Sequence, residues 1–255
     1  MKVVGIIPAR LGATRFPGKP LATLHGMPMI GHCYHRTKLA KGIDSTYVAT
    51  CDHEIADYVR SIGGTAIMTS TSHTRATTRT AEAMEIIESE INEKIDVVVM
   101  VQGDEPLILP ETIAETLNHF DDSSVDIVNI MSRLRDYEQF IDKNNVKVVV
   151  NNKNDALYFS REAIPSPWQS KEDIPMYMQT GIIAFRRDVL MHFNSMEETR
   201  LEQIESVDMN RVLETGGSIR MVSTDAVTIG VDTPAELKFA ETLLKNDNAM
   251  KEYLK

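Results

Sequence analysis

Hydrophobic positions fall along this chain in short runs separated by polar, glycine-marked segments. The first run, Val3 to Ile7, is unbroken, which predicts a strand buried on both faces as in a parallel sheet. Pro8 follows, and a residue without an N–H predicts the strand end. Met29 to Leu39 carries helix spacing through Met29, Ile30, Cys33, Tyr34 and Thr37, with Lys38, Lys41 and Gly42 at its close. Ser45 to Thr50 predicts a second strand. Cys51-Asp-His-Glu54 opens a helix with Asp52 as N-cap, Ile55, Val59 and Ile62 form its buried face, and Gly63-Gly64 ends it. Thr65 to Met68 predicts a third strand. The order β-α-β-α-β predicts an open parallel sheet.

The polar stretch Thr69 to Thr78 then leads to a helix over Arg79 to Glu90. Ile95 to Val101 is the most strand-like stretch and predicts a central strand. Pro110 to Phe120 reads as a helix begun by proline and acid, Ser124 to Met131 as a strand, and Ser132 to Asn144 as a helix and turn. Val146 to Asn151 and Ala156 to Ser160 flank an Asn/Asp cluster, the signature of a β-hairpin. Arg161 to Met176, with Pro165, Pro167, Trp168 and Pro175, predicts a long loop of the functional kind. Beyond it come a strand over Met178 to Phe185, a helix over Arg187 to Phe193 and one continuous helix over Thr199 to Glu214. A strand over Ser218 to Thr224 is followed by a strand and turn over Val227 to Pro234. A helix over Ala235 to Lys245, capped by Thr233, precedes a frayed tail. No repeat or low-complexity linker divides the chain, so one domain over residues 1–255 is expected.

Composition narrows the function classes. A net charge of −10 argues against a general nucleic-acid surface. No stretch approaches the ~20 apolar residues of a membrane span, and the N-terminus runs straight into a strand without a signal-peptide pattern. Two cysteines, Cys33 and Cys51, make neither a metal motif nor a disulfide framework. The expected compartment is the cytoplasm.

Against that acidic background, Arg10, Arg15 and Lys19 lie in a stretch with no acidic residue from Val3 to Ile43. Gly12 and Gly18 punctuate the same loop, which leaves the carboxyl edge of the sheet where open α/β folds bind ligands. Small residues, backbone N–H groups and fixed cations are what a triphosphate requires. The spacing is neither a P-loop nor a dinucleotide fingerprint. The central strand in turn runs into Gln102-Gly-Asp-Glu-Pro106, placing a carboxylate where a divalent cation could bind. A plain Asp turn and a solvated basic loop are the bland alternatives; the two features together favour a metal–nucleotide site.

The sequence resembles the 3-deoxy-manno-octulosonate (Kdo) cytidylyltransferases. The resemblance rests on Ile7-Pro-Ala-Arg10, Pro17-Gly-Lys19, Val101-Gln-Gly-Asp-Glu-Pro106, Asn145-Val-Lys147-Val148, Ala156-Leu-Tyr-Phe-Ser-Arg161 and Gly230-Val-Asp-Thr-Pro234, in order along nearly the whole chain. It implies an α/β domain of the nucleotide-diphospho-sugar transferase type: a mostly parallel, Rossmann-like central sheet flanked by helices, with a smaller dimerisation sheet in about 125–225. It also implies Mg²⁺, CTP as donor, a 2-keto-3-deoxy sugar acid as acceptor, and a homodimer. Arg10, Lys19, Asp104 and Asp232 would be the catalytic set, with Asp104 and Asp232 holding the metal. The nucleotide would lie on Ala9, Arg10, Leu11, Gly12, Thr14, Arg15, Lys19, Thr50, Asp52, Arg75, Thr77, Arg79, Gln102 and Gly103. The sugar would meet Gln102, Glu105, Tyr158, Ser160, Arg161, Gln179, Gln203 and Glu205. By local pattern alone Asp232 reads as a helix-start residue.

The departures fall in the segment after the third strand and on the acceptor side. The family's Ser-Gly-Thr-Glu-Arg is here Arg75-Ala76-Thr77-Thr78-Arg79, and two expected histidines are Gln179 and Gln203. They imply Kdo or a close relative such as an amino-substituted octulosonate, since a glutamine cannot carry charge near neutral pH. A nucleotide-sugar glycosyltransferase and a non-catalytic binding protein stand as rivals.

Overall fold

The computed structural model describes residues 1–12, 16–169 and 174–254. The strands are β1 (Val3–Ala9), β2 (Thr23–Leu24), β3 (Met27–Pro28), β4 (Ser45–Thr50), β5 (Thr65–Met68), β6 (Val97–Val101), β7 (Ile127–Arg133), β8 (Lys147–Val150), β9 (Ala156–Ser160), β10 (Tyr177–Arg186) and β11 (Arg220–Thr224). The helices are α1 (Met29–Leu39), α2 (His53–Ser61), α3 (Ala76–Ile91), α4 (Pro110–Leu117), α5 (Tyr137–Ile141), α6 (Arg187–Ser195), α7 (Arg200–Glu205), α8 (Met209–Glu214), α9 (Pro234–Leu244) and α10 (Asn248–Tyr253).

The main sheet runs β11-β7-β10-β6-β1-β4-β5. β10 is antiparallel to both neighbours, and the other pairs on this path are parallel. The fold is thus the mixed, mainly parallel α/β architecture that the motifs imply. The antiparallel hairpin β8–β9 branches from β10 at Met178↔Lys147, and β2–β3 forms a separate two-stranded sheet.

Side-chain alternation buries both faces. Val4, Ile6, Val98 and Met100 face a cluster with Met84 and Ile87 of α3 and Phe193 of α6. Val3, Ile7, Val97, Val99 and Val101 face the other way, against Cys33 of α1, Val59 of α2 and Ile113 of α4. Burying two faces requires helices on both, and those crossovers return every parallel strand with its carboxyl end on one edge.

Several sequence expectations change. β1 continues through Pro8 to Ala9, because its ladder to β6 stops at Ile6 and only β4 pairs with the last residues. α3 begins at Ala76, three residues early, so the polar segment before it is shorter. The predicted helix over 199–214 is two helices. Ser206 takes a left-handed φ of 53°, and Arg161 Nε donates to the Glu205 carbonyl at 2.7 Å, capturing the peptide at the break. No strand forms over 227–234, where Val231 N donates to Asp104 O at 2.9 Å and the backbone serves the loop after β6.

The tail is not frayed: α10 docks on α1. His32 Nε2 contacts the Leu24 carbonyl at 2.9 Å and must therefore carry the proton there, leaving Nδ1 to accept from the Tyr253 hydroxyl at 2.8 Å. The same Tyr253 oxygen accepts from Arg36 Nε at 3.1 Å. Burial lowers the His32 pKa to about 4. A folded pKa below the unfolded value means the unfolded chain binds the proton first, so stability is lost as pH falls from 6.5 toward 4. Urea unfolding at pH 7 and pH 4.5 should show wild type losing roughly 2 kcal/mol more than His32→Gln over that interval; equal losses would remove His32 from the acid response.

Candidate active site

The site forms where β1, β4, β5 and β6 end. Past Ala9 the chain turns through Arg10, Leu11 and Gly12. Asp52 does not cap α2 with its side chain. Its Oδ2 instead accepts the Leu11 N–H at 2.7 Å, and its own N–H donates to Thr50 Oγ1 at 3.1 Å. Thr50 and Asp52 thus brace the loop from behind. The turn closes when Gly18 N donates to Leu11 O at 3.0 Å, with Gly18 at φ 73°, a conformation glycine adopts without strain. Thr14 and Arg15 lie outside the described residues.

That turn aims Lys19 at two carboxylates. Its Nζ donates to Asp104 Oδ2 at 2.7 Å and to Asp232 Oδ1 at 2.8 Å. Asp104 sits just beyond β6, where a Cβ on Gly103 would stand 3.1 Å from the Pro8 carbonyl. Asp232 precedes α9, its N–H donating to Glu236 Oε2 at 2.7 Å. Burial pulls the Lys19 ammonium toward neutrality, but Asp104 and then Asp232 outweigh it, and its pKa ends above the ordinary value.

A cleft of about 350 Å³ opens over this trio, lined also by Ala9, Arg10, Arg75, Arg79, Gln102 and Gly103. Arg79 is almost wholly buried; its Nη1 donates to Thr69 Oγ1 while Nη2 has no protein partner. Arg75 Nη2 lies 3.6 Å from Glu198. Thr77 is buried behind the cleft, donating to Asp208 Oδ2 at 3.1 Å.

A second cavity of about 520 Å³ adjoins the first, and Thr74, Arg75, Ala76, Gln102, Asp104 and Asp232 line both. Its other walls include Glu105, Arg161 and Gln179. Glu105 is buried; its Oε1 accepts the Gly181 N–H at 2.6 Å, and burial pushes its pKa up to about 7. Gln179 Nε2 donates to Asn129 Oδ1 at 2.8 Å. Tyr158, Ser160 and Glu205 do not line this cavity but bond to one another beside it. Glu205 Oε1 accepts from Ser160 Oγ at 2.7 Å and Tyr158 OH at 3.1 Å, and Oε2 accepts from Arg161 N at 2.9 Å. Gln203 is exposed on α7 and lines neither cavity.

Thr74, Asn145, Asp208 and Glu236 are among the polar lining residues that sequence did not single out. Asn145 was visible within a motif, but Asp208 reaches the cavity only through the break between α7 and α8. His73 also lines the cleft and pairs with Glu82.

A mainly parallel sheet whose carboxyl edge joins a cationic turn to two aspartates is the arrangement expected of a nucleotide-using transferase. The family model for cytidylyltransferases matches residues 4–221, and the chain belongs to that family. It is therefore a nucleotidyltransferase. Within the family it is 41% identical over 248 residues to the 3-deoxy-manno-octulosonate cytidylyltransferase of Geobacter metallireducens, covering 93% of this chain and 95% of that one. Among solved structures it matches a CMP:2-keto-3-deoxy-manno-octonic acid synthetase complexed with CTP, with a TM-score of 0.88, 38% identity, and coverage of 96% and 98%. The 4-diphosphocytidyl-2C-methyl-D-erythritol synthase of Anaerococcus prevotii shares the fold alone, at 15% identity and a TM-score of 0.65 over 96% of this chain and 99% of that one.

Removing the ammonium leaves two half-buried carboxylates facing each other. Lys19→Met should destabilise the nucleotide-free protein by roughly 1–3 kcal/mol in urea unfolding. Millimolar MgCl₂ should recover part of that loss, because a divalent cation can take the same position; an unchanged midpoint would show that Lys19 does not hold the pair.

Proposed function

We propose that the chain transfers CMP from CTP to the anomeric hydroxyl of a 2-keto-3-deoxy sugar acid, in the cytoplasm. The observation that carries this reading is the shared wall: Gln102, Asp104 and Asp232 face both cavities. A donor in the first cleft and an acceptor in the second would meet there. The anomeric oxygen bonds to the α-phosphorus as the bond to the β-phosphate oxygen breaks, pyrophosphate leaves, and the hydroxyl proton passes to water. Arg10 and Lys19 hold the triphosphate, and catalysis is positioning and charge stabilisation, with no covalent enzyme intermediate.

The residues fit magnesium. Asp104 and Asp232 converge on one cation, the Lys19 ammonium, at 2.7 and 2.8 Å, so they would supply two carboxylates and leave positions for phosphate and water, as Mg²⁺ prefers. When bound it would offset charge on the phosphates.

The acceptor is Kdo or an amino-substituted relative. The second cavity supports the amino form: it includes the Glu105 and Asp208 carboxyls, whereas the Arg161 guanidinium is committed to the carbonyls of Lys143, Glu205 and Ser206. The homodimer would form through 125–225, which exposes Leu157, Trp168, Leu201 and Ile204.

Pyrophosphate release with CTP, Mg²⁺ and a panel of sugar acids tests the reaction. Asp104→Ala should lower turnover by about 10³-fold or more. No release with any acceptor would favour the glycosyltransferase or binder readings, release without any keto acid would contradict transfer to a sugar acid, and a clear preference for unmodified Kdo would defeat the amino form. Light scattering should give a dimer mass that falls to the monomer in Leu157→Asp/Ile204→Asp; a wild-type monomer would contradict this interface.

A further inference from the structure

β10 does not run regularly past β7. Gln179 pairs with Met131 and Ile183 with Asn129, so four steps along β10 span two along β7. Extra residues in one strand leave backbone groups outside the ladder and bend it, often beside active sites. Here they have specific partners. Asn129 Nδ2 donates to the carbonyls of Thr180 at 3.1 Å and Ile182 at 2.8 Å. Gly181 N donates to Glu105 Oε1 at 2.6 Å, and Gly181 O accepts from Gln102 N at 3.0 Å. The bulge is therefore clamped from β7 by Asn129 and from the loop after β6 by Glu105.

At its apex, a Cβ on Gly181 would lie 2.7, 2.8 and 2.9 Å from Cβ, Cγ and Cδ of Gln102. The Gln102 stem lies flat on the Gly181 peptide, and φ at that glycine is not in the left-handed region. The need for glycine is thus one of room. Gln102 is also a side chain that both cavities share.

We infer that Gly181 is a positioning residue for transfer: its missing side chain and clamped bulge set the Gln102 amide between donor and acceptor. This rests on the proposed cytidylyl transfer.

Gly181→Ala tests this in wild type and in a Gln102→Gly background, which lacks all three atoms the new methyl would meet. In wild type, kcat/KM for the acceptor should fall about 10- to 100-fold, with CTP affinity by calorimetry unchanged within about twofold. In the Gln102→Gly background the same change should cost less than about twofold. Equal losses in both backgrounds, or none in either, would overturn the inference. Should Gly181→Ala fail to fold, Asn129→Asp, which loses the donors to Thr180 and Ile182 but keeps Oδ1 for Gln179, should give the same pattern read against the same background. A crystal structure of whichever variant folds supplies a readout independent of turnover: the Gln102 side chain should be displaced from the cavity junction, and an unmoved Gln102 would refute its positioning even if no acceptor were active.

Discussion

Two carboxylates from opposite halves of a chain do not stay within reach of one another unless something positive lies between them. Lys19 does this, with Nζ at 2.7 Å from Asp104 and 2.8 Å from Asp232. At those distances in a partly buried setting each attraction is worth several times its value in water. The contact joins three segments: the turn after β1, the loop after β6 and the loop before α9. The Val231 N–H to Asp104 carbonyl bond stitches the last two together. Beneath them Leu24, Met29, Leu107, Val231 and Leu244 form one buried cluster, so apolar packing brings the backbone close and the ammonium fixes the carboxylates.

The walls of the second cavity use buried charge differently. Lys147 has no exposed surface, yet among the described residues its ammonium forms no ion pair with a carboxylate. It donates to the carbonyls of Asp142 at 2.7 Å, Asn145 at 2.6 Å and Arg161 at 2.6 Å. Burial lowers its pKa, a cost a methionine would avoid. In return it gathers carbonyls from the end of α5, the turn before β8 and the residue after β9, and two of them belong to residues lining the second cavity. Arg161 does the same for the break between α7 and α8. The charges around this cavity thus hold its walls in place.

The sheet was legible because its signal is hydrophobic run length and alternation, which do not depend on distant contacts. The strands at Val3, Ser45, Thr65 and Val97 lie where the runs lie, and Thr233 caps α9 with its side chain on Glu236 N, as its place before Pro234 implied. What could not be read depended on long-range capture. Asp52 has the local pattern of an N-cap, but a backbone N–H 41 residues earlier claims its carboxylate. The helix over 199–214 has no breaker in its sequence; Arg161 breaks it from outside. The last residues look unanchored until Tyr253 meets His32 and Arg36. At the site, Arg10, Lys19 and Asp104 could be suspected from strand-end position and charge. Asp232 could not, because a residue opening a helix is common and its partners come from elsewhere in the chain.

Crystals grown with CTP and Mn²⁺ would test the centre of this most directly. An anomalous difference map should place one manganese between Asp104 and Asp232, with the Lys19 ammonium moved onto the triphosphate and the α-phosphorus facing the second cavity. A metal bound away from both aspartates, or a triphosphate that leaves Lys19 seated between them, would contradict it.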